Sequence, residues 1–268
     1  MIGSLDYEVS LTVYLMAVSA PPLGSRNPLC TVIRKAVQRG TRTDDGFVVA
    51  EGFHLLEEAQ RSSCPIDTVI VTEAALPRLA NSFANVRVFS VDAVTFASLS
   101  SMDTPQGVLG LVRVPDWSVE QVTTNPALVV VLDGLQDPGN AGAVVRAAEA
   151  FGASGVVFLK GSANPYHPKT LRAAAGSLFR VPFLSGLSDF NVDLPLFSMA
   201  ADGPTPIDKV NWKQPCGVVI GNEGQGVRGE IRSRTQQVAI PTRGVESLNA
   251  SVAAGIVLYE ARRQRGPG

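Results

Sequence analysis

The sequence predicts an α/β protein of two domains, the second built on a largely parallel, doubly wound sheet. Two observations support this prediction. After residue 127, five uninterrupted apolar runs alternate with helical patterns. Before residue 115, shorter strand patterns alternate with helical patterns. Strands that are hydrophobic throughout are typical of a parallel sheet that is buried on both faces. The 268 residues suffice for two domains of ordinary size. Residues 115–126, which are polar and bounded by prolines, are expected to link them.

The first domain, residues 25–114, is predicted to be a small α/β unit. Leu55, Leu56 and Ala59 recur at helical spacing and indicate an amphipathic helix. In chain order, the predicted strands are residues 47–50, 68–71, 86–89 and 108–112, and the predicted helices are residues 51–61, 74–83 and 93–100.

The second domain, residues 127–268, carries the longer apolar runs. The predicted strands are residues 128–132, 155–159, 196–200, 217–220 and 238–240, and the predicted helices are residues 141–151, 168–179, 227–235 and 248–263. In such a sheet the ligand site lies beyond the carboxyl ends of the strands. Candidate site residues are therefore expected in the segments that follow these strands.

Residues 1–24 are expected to form an arm of undefined order. They do not fit a secretory signal, because Asp6 and Glu8 lie where positive charge is needed and no Lys or Arg precedes Arg26. No apolar run approaches the roughly 18 residues of a membrane span. A cytoplasmic protein is therefore expected.

The formal net charge of −1 gives no global sign of nucleic-acid binding, so an RNA partner must be recognised by local charge. Residues 9–43 contain basic side chains and no acidic one, which indicates either an RNA contact or an ordinary solvated face. The basic residues of this stretch are Arg26, Arg34, Lys35, Arg39 and Arg42.

The three cysteines, Cys30, Cys64 and Cys216, are scattered and show neither metal-ligand nor redox-pair spacing. The chain has two histidines, His54 and His167, so a histidine-based metal centre is not expected either. We predict reduced thiols and no metal.

Three segments follow predicted strand ends in the second domain. Asn140 is a candidate cap for the first of the predicted helices there, which carries Ala141, Val144, Val145 and Ala148 as its apolar stripe. Arg146 lies on the opposite face with Gly142 and Glu149. Either it serves chemistry, or it forms a surface pair with Glu149 three residues on.

The second segment, residues 218–226, is a glycine-rich turn that could expose backbone N–H groups to a ligand or be merely structural. It fits neither a Walker loop nor the dinucleotide pattern. The third, residues 240–253, leads from a short strand into an apolar helix that Ser247 or Asn249 could cap. That helix presents Leu248, Val252, Ile256 and Tyr259 on one face, as core or as a dimer surface.

Together these segments read N-x-G-A-x-x-R from Asn140, G-N-E-G-x-G from Gly221 and I-P-x-x-G-x-x-S-L-N from Ile240. In this order they resemble the signature motifs of the SpoU (TrmH-like) family of RNA ribose 2′-O-methyltransferases, in the SPOUT superfamily. The resemblance covers residues 125–265. It extends less sharply to the first domain, where residues 26–28 and 47–52 are similar to a ribosomal-protein-like RNA-binding module.

The resemblance implies S-adenosylmethionine as cofactor, a C-terminal trefoil knot, and a homodimer to which the helix of residues 248–263 contributes. By resemblance, the cofactor is held by Ala200, Gly221, Ile240, Leu248 and Asn249. The implied catalytic residues are Arg146, Asn140, Glu223, Ser247 and Asn249.

The chemistry needs alignment of a ribose hydroxyl and removal of its proton. Arg146, the usual candidate for activating that hydroxyl, is a poor base because a guanidinium rarely loses its proton. We therefore expect Arg146 to bind a phosphate of the target nucleotide. The hydroxyl proton would then pass either to a phosphate oxygen or to a guanidinium that has transiently lost its own proton. Lys169 and Arg172, which follow His167, are expected either to contact RNA phosphates or to belong to an ordinary loop and helix start.

Other functions remain open. Large-subunit rRNA is favoured as substrate because of the extra N-terminal domain, with tRNA as the alternative. A non-catalytic RNA-binding relative would not need the full set of polar motif residues. An oxidoreductase using a dinucleotide is disfavoured by the absence of G-x-G-x-x-G.

Overall fold

The computed structural model describes residues 20–79, 83 and 86–266. The chain forms two units, residues 1–113 and 114–268. Most of the expected N-terminal arm, residues 1–19, lies outside the described residues. Its last residues run beside a strand of the first unit: Pro22 forms a parallel bridge with Ser90, and Leu23 N donates to Ser90 O at 2.8 Å.

The first unit is a four-stranded sheet with helices. Its elements are α1 (Pro28–Arg39), β1 (Val48–Glu51), α2 (Phe53–Arg61), β2 (Ile66–Thr72), α3 (Leu76–Leu79), β3 (Arg87–Val91), α4 (Ala93–Leu99) and β4 (Val108–Val112). The strand order is β1-β4-β2-β3, with β4 antiparallel to both neighbours and β2 parallel to β3. All four predicted strands are present, and the last of them in sequence lies in the interior of the sheet.

Helix α1 was not predicted, although the sequence carries its signals. Asn27 caps it by accepting from Leu29 N at 2.9 Å, Pro28 is its first residue, and Gly40 ends it in the left-handed conformation. Its apolar face is fully buried in the core of this unit. Three of the five basic residues of the stretch, Arg34, Lys35 and Arg39, therefore lie on this helix.

The second unit is built on a seven-stranded sheet. Its elements are α5 (Val119–Val122), β5 (Leu128–Asp133), α6 (Pro138–Ala150), β6 (Gly155–Leu159), α7 (Pro168–Ala174), β7 (Phe183–Leu187), β8 (Leu196–Met199), β9 (Thr205–Pro206), β10 (Cys216–Gly221), α8 (Gly229–Arg232), β11 (Gln236–Ala239) and α9 (Ala250–Arg265). Their order in the sheet is β7-β6-β5-β10-β8-β11-β9.

All pairings in this sheet are parallel, which confirms the predicted fold class. The five predicted strands are present, and β7 and β9 are additional. Strand β5 is buried at every position and pairs with β10, so that Asp133 lies opposite Gly221 at the carboxyl ends. The centre of the sheet therefore places two of the three candidate segments side by side.

Four predicted elements differ from the structure. The helix expected over residues 74–83 is α3 (Leu76–Leu79) where the structure describes it, and residues 80–82 lie outside the described residues. The helix expected over residues 168–179 stops at Ala174, because Ala175 takes a left-handed conformation (φ 48°) before a short 3-10 turn, Ser177–Phe179. The helix expected over residues 227–235 is only α8. Within the expected linker the structure has α5, whose Val122 is fully buried against the sheet, so this segment is packed rather than extended.

Helices α6 and α7 approach closely at Gly142. A Cβ atom there would lie 2.4 Å from Thr170 O and 2.6 Å from Ala173 Cβ. Gly142 is therefore buried, whereas we expected it on the outer face beside Arg146. In the part of the chain that the structure describes, no helix has the length and apolarity needed to cross a membrane.

Candidate active site

Three loops meet at the carboxyl ends of the central strands of the second unit. They are the segment between β5 and α6, the turn after β10, and the stretch from β11 to α9. These are the three motif segments, separated by up to about a hundred residues in sequence. The topology of the sheet brings them to one edge, as expected for a doubly wound sheet.

The first turn of α6 is fixed by Asp137 rather than by Asn140. Asp137 is the N-cap, with Pro138 as the first helical residue, and its Oδ1 accepts from Asn140 N at 2.8 Å. The prediction that Asn140 caps this helix is therefore wrong. Because Asp137 satisfies the backbone, the side chain of Asn140 is available for contacts elsewhere.

The side chain of Asn140 joins the three segments. Its Nδ2 donates to Glu223 Oε1 at 3.1 Å, and its Oδ1 accepts from Asn249 Nδ2 at 3.1 Å. Asn249 is itself the N-cap of α9, accepting from Ser251 N and Val252 N. The oxygen Ser251 Oγ lies 2.6 Å from Asn249 Oδ1. Three of the five proposed catalytic residues thus form one hydrogen-bonded chain, which we call the amide chain (Asn249, Asn140, Glu223).

A cavity of about 650 Å³ opens beside the amide chain. Its lining includes all five residues expected to hold the cofactor, together with the expected catalytic residues Glu223 and Ser247. Apolar side chains such as Ile220 and Met199 form part of its wall. The lining set does not include Asn140 or Arg146, both on α6.

Arg146 is exposed on α6, and no described residue hydrogen-bonds to its side chain. The alternative of a surface pair with Glu149 is wrong, because Glu149 binds Arg180 at 2.5 Å instead. The hydrogen bonds from Arg180 also hold the pKa of the Glu149 carboxyl below its ordinary value.

The glycine-rich turn after β10 is held in place by Asp133, a residue that we did not predict as part of the site. The side chain of Asp133 is fully buried, and its carboxylate accepts from Arg228 N at 2.8 Å and Arg228 Nε at 2.5 Å. Asn222 adds a second anchor, donating from Nδ2 to Gly134 O at 2.9 Å. The available signal was a carboxylate ending an otherwise apolar strand.

The other predicted RNA contacts of this unit lie around the start of α7. His167 caps that helix, and burial together with nearby Arg172 and Lys169 lowers its pKa. Lys169 is paired with Asp137 at 3.0 Å, and the hydrogen bonds from Asn140 N and from Lys169 lower the pKa of the Asp137 carboxyl. Lys169 is thus paired with the N-cap residue of α6, and that residue shortly precedes Asn140 of the amide chain in sequence.

The basic residues of the first unit that were predicted to contact RNA differ in their exposure and in their partners. Arg26 and Arg39 are exposed, whereas Arg42 is half-buried. Arg34 donates to Ser25 O at 2.7 Å, and Lys35 pairs with Asp44 at 3.0 Å. Among the described residues of the chain, no group of three or more His, Cys, Asp or Glu side chains could hold a metal ion.

Two family models match the chain. The SpoU rRNA Methylase family matches residues 127–259, and the MRM3-like substrate binding domain matches residues 27–110. The first match spans all three motif segments and the whole amide chain. The second covers the first unit from α1 into β4.

Curated proteins similar to the chain are RNA methyltransferases. The 23S rRNA (guanosine(2553)-2′-O)-methyltransferase RlmP of Bacillus subtilis is 30% identical over 238 residues, which cover 85% of this chain and 94% of that protein. An uncharacterized tRNA/rRNA methyltransferase of Synechocystis is 32% identical, over 90% of this chain and 93% of its own.

Solved structures agree with these matches. The SpoU methyltransferase AviRb from Streptomyces viridochromogenes, in complex with AdoMet, superposes with a TM-score of 0.79 at 26% identity, covering 90% of this chain and 98% of its own. The AdoMet-bound rRNA methyltransferase from Sinorhizobium meliloti has a TM-score of 0.75 at 28% identity, covering 88% and 95%. The resemblance indicated by the three motifs is confirmed, and the chain belongs to the SpoU rRNA methylase family.

Proposed function

We propose that this protein transfers a methyl group from S-adenosylmethionine to a ribose 2′-hydroxyl of large-subunit rRNA. The observation that carries the proposal is the amide chain, in which Asn140 bonds to both Asn249 and Glu223 at 3.1 Å beside the cavity. A protein that only bound RNA would have no need for a hydrogen-bonded chain of three polar side chains beside such a cavity. Membership of the family supports the same reaction.

The cavity fits the cofactor in size and chemistry. Its volume of about 650 Å³ lies within the range of small-molecule sites. The lining combines apolar side chains such as Ile240 and Leu248 with carboxylates and backbone polar groups of the turn at Gly221. We assign the hold on adenine and sugar to Ala200, Gly221, Ile240, Leu248 and Asn249. When bound, S-adenosylmethionine supplies a methyl group that is already electrophilic.

The amide chain acts by alignment. An in-line displacement depends on the position of the ribose oxygen, and alignment alone contributes roughly 7–11 kcal/mol in favourable cases. Asn249 and Ser247 lie in the cavity wall, and Asn140 connects Asn249 to Glu223. We assign to these side chains the orientation of the 2′-hydroxyl, with Glu223 as the acceptor at the end of the chain.

Arg146 has a different role, which follows from its exposure and its lack of a partner among the described residues. A guanidinium binds phosphate through two parallel N–H donors, and its high pKa makes it an unsuitable base. We therefore assign to Arg146 the binding of a phosphate of the target nucleotide. When bound, S-adenosylmethionine would give up its methyl group to the ribose oxygen as the methyl–sulfur bond breaks, leaving the neutral thioether S-adenosylhomocysteine. The proton of the hydroxyl would pass to an oxygen of the phosphate that Arg146 holds.

The preference for rRNA rests on the first unit. It matches a substrate binding domain, and the Bacillus subtilis relative is named as a 23S rRNA enzyme. We assign RNA contacts to the exposed basic residues of this unit, foremost Arg26 and Arg39, and to Lys169 and Arg172 near the site. A tRNA substrate remains the alternative for the same chemistry, and the protein is expected to act in the cytoplasm.

A second copy of the chain is part of the proposal. On α9, Val252, Ile256 and Tyr259 are 50%, 36% and 56% exposed. This face was expected to be either core or a dimer surface, and exposure of three large apolar side chains favours the dimer. We also propose that the loops forming the cavity belong to a trefoil knot, as the family resemblance implies.

The deciding experiment is methyl transfer from labelled S-adenosylmethionine to total RNA from a strain lacking this gene. Wild type, Arg146→Ala and Arg146→Lys are compared, with Arg61→Lys as a control on an exposed arginine far from the motifs in sequence. We expect wild type and the control to label large-subunit rRNA and both Arg146 variants to fail, because lysine lacks the two-donor fork.

Three other outcomes would revise the proposal. Full activity of Arg146→Lys would exclude the phosphate role of the fork. Label in tRNA alone would favour the alternative substrate. Absence of transfer to free RNA and to ribosomal particles, with cofactor binding intact, would indicate a non-catalytic relative.

A further inference from the structure

The charged side chains that line the cavity are three carboxylates and one guanidinium. The carboxylates belong to Asp202, Glu223 and Glu246, and among the described residues of the lining the one cation is Arg232, at the end of α8. Arg232 lies outside the three motifs and was not predicted from the sequence. Because Arg232 lies in the cavity wall, the question is which anionic group of a ligand it would bind there.

Arg232 is held along one edge and open along the other. Its Nε and Nη2 donate to Gln237 Oε1 at 2.9 and 2.6 Å, and Nη2 also approaches Asp202 Oδ1 at 3.4 Å. No described residue accepts from Nη1. The side chain remains 44% exposed, so its free N–H groups are accessible from the cavity.

The pairing with Asp202 does not account for this arrangement. The two side chains are 44% and 81% exposed, and the contact at 3.4 Å is long for an ion pair. Exposed pairs of this kind contribute little to stability. By contrast, a neutral amide such as that of Gln237 orients a guanidinium without neutralising it, which leaves its full charge for a ligand.

We infer that Arg232 binds the α-carboxylate of the cofactor's amino-acid arm, with Asp202 beside it as acceptor for the α-ammonium group. The inference rests on the proposed function. A zwitterionic arm needs one cation and one anion side by side, and Arg232 and Asp202 supply this pair in the cavity wall. A guanidinium–carboxylate contact is a charge-assisted hydrogen bond, stronger than a neutral one.

Equilibrium binding of two nucleosides tests the inference without any methyl transfer. S-adenosylhomocysteine carries the amino-acid arm, whereas 5′-methylthioadenosine has the same adenine, ribose and thioether but no arm. Titration calorimetry compares wild type, Arg232→Met, Arg232→Lys and Arg234→Met. Arg234 is the matched control, because it lies two residues away, pairs with an acidic residue, Asp189, and does not line the cavity.

We expect Arg232→Met to weaken S-adenosylhomocysteine roughly 10- to 100-fold, the usual effect of losing a hydrogen bond to a charged group. Its affinity for methylthioadenosine should stay within about twofold of wild type, which also shows that the cavity is intact. The affinity of Arg232→Lys for S-adenosylhomocysteine should lie between those of wild type and Arg232→Met. Arg234→Met should match wild type for both compounds.

Equal effects of Arg232→Met on the two compounds, or no effect on either, would overturn the assignment of the carboxylate while leaving the proposed function in place. Failure of wild type to bind S-adenosylhomocysteine would overturn both. The ratio of the two dissociation constants in each variant is therefore the quantity that decides.

Discussion

Asn249 donates a hydrogen bond from its side-chain nitrogen to Asn140 Oδ1 at 3.1 Å, across 109 positions in sequence. The orientation of this amide follows from the backbone, because Asn249 Oδ1 accepts from Ser251 N and Val252 N at the start of α9. Its nitrogen must then face Asn140, and the nitrogen of Asn140 must face Glu223. The helix cap thus sets the direction of the whole amide chain, which ends on a carboxylate.

Replacement of Asn140 by Asp tests this directionality. The new carboxylate would oppose the carboxylate of Glu223 where Nδ2 now donates, so the chain would lose its central donor. We expect the rate constant of single-turnover methyl transfer to fall roughly 10- to 100-fold. The dissociation constant of S-adenosylhomocysteine should change less than about threefold, since Asn140 does not line the cavity.

A matched control is Asn211→Asp, because the Asn211 side chain accepts from Lys213 N at 3.2 Å and an aspartate can do the same. This variant should retain the wild-type rate. An unchanged rate in Asn140→Asp would show that the amide chain has no part in the reaction.

The sequence motifs bring Asn140, Glu223 and Asn249 forward as site candidates, but the contacts between these residues could not be predicted from the sequence. Motif spacing identified Asn140, Glu223 and Asn249, yet nothing local shows that they share hydrogen bonds. The cap of α6 was misassigned because Asp137 and Asn140 are both good capping residues. Pro138 decides between them, since proline favours the first helical position and places the cap one residue earlier.

The strands with the most continuous apolar pattern in the sequence were predicted most accurately. Strands β5, β6 and β10 are buried almost throughout and were predicted within one residue at each end. The edge strand β7 is exposed over its second half and contains Gly186 at a positive φ of 79°, so it has no continuous pattern. Strand β9 has two residues, too few for any periodicity.

Gly142→Ala should destabilise the protein through the contact between α6 and α7. The added Cβ would meet Thr170 O at 2.4 Å and Ala173 Cβ at 2.6 Å, and backbone cannot yield cheaply. Overpacking of this kind costs about 1–3 kcal/mol. We expect that decrease in the free energy of unfolding measured by urea denaturation.

Gly229→Ala in α8 is the matched control, because a Cβ there has no neighbour within 4 Å. Alanine has the higher helix propensity, so this variant should gain up to about 1 kcal/mol. Equal effects of the two substitutions would contradict the close approach at Gly142.

Asp133→Asn should destabilise the second unit more than the removal of a charge from an exposed side chain does. The substitution keeps the size of the side chain but leaves Arg228 without its charged partner, at a position whose side chain is fully buried. Because Arg228 itself stays 44% exposed, the loss is that of charge-assisted hydrogen bonds, about 1.5–3 kcal/mol. Asp208→Asn, in an exposed pair with Lys209, should change stability by less than about 1 kcal/mol. Similar denaturation midpoints for the two variants would exclude a role for Asp133 as anchor.

The N-cap of α6 should make stability depend on pH. Hydrogen bonds from Asn140 N and Lys169 lower the pKa of Asp137 in the folded protein. A depressed carboxyl pKa stabilises the fold above the unfolded value of about 3.9, and this stabilisation is lost as the pH falls through the folded pKa.

Asp137→Ser isolates this contribution, because serine keeps a capping oxygen but has no carboxyl charge. At pH 7 we expect the variant to be about 0.5–1 kcal/mol less stable than wild type, from the lost charge at the helix N-terminus and the lost pair with Lys169. The difference should shrink steadily below about pH 4. Urea denaturation at pH 7 and pH 3 measures it, and a difference that stays constant over this range would mean that the carboxylate of Asp137 contributes no charge interaction to the fold.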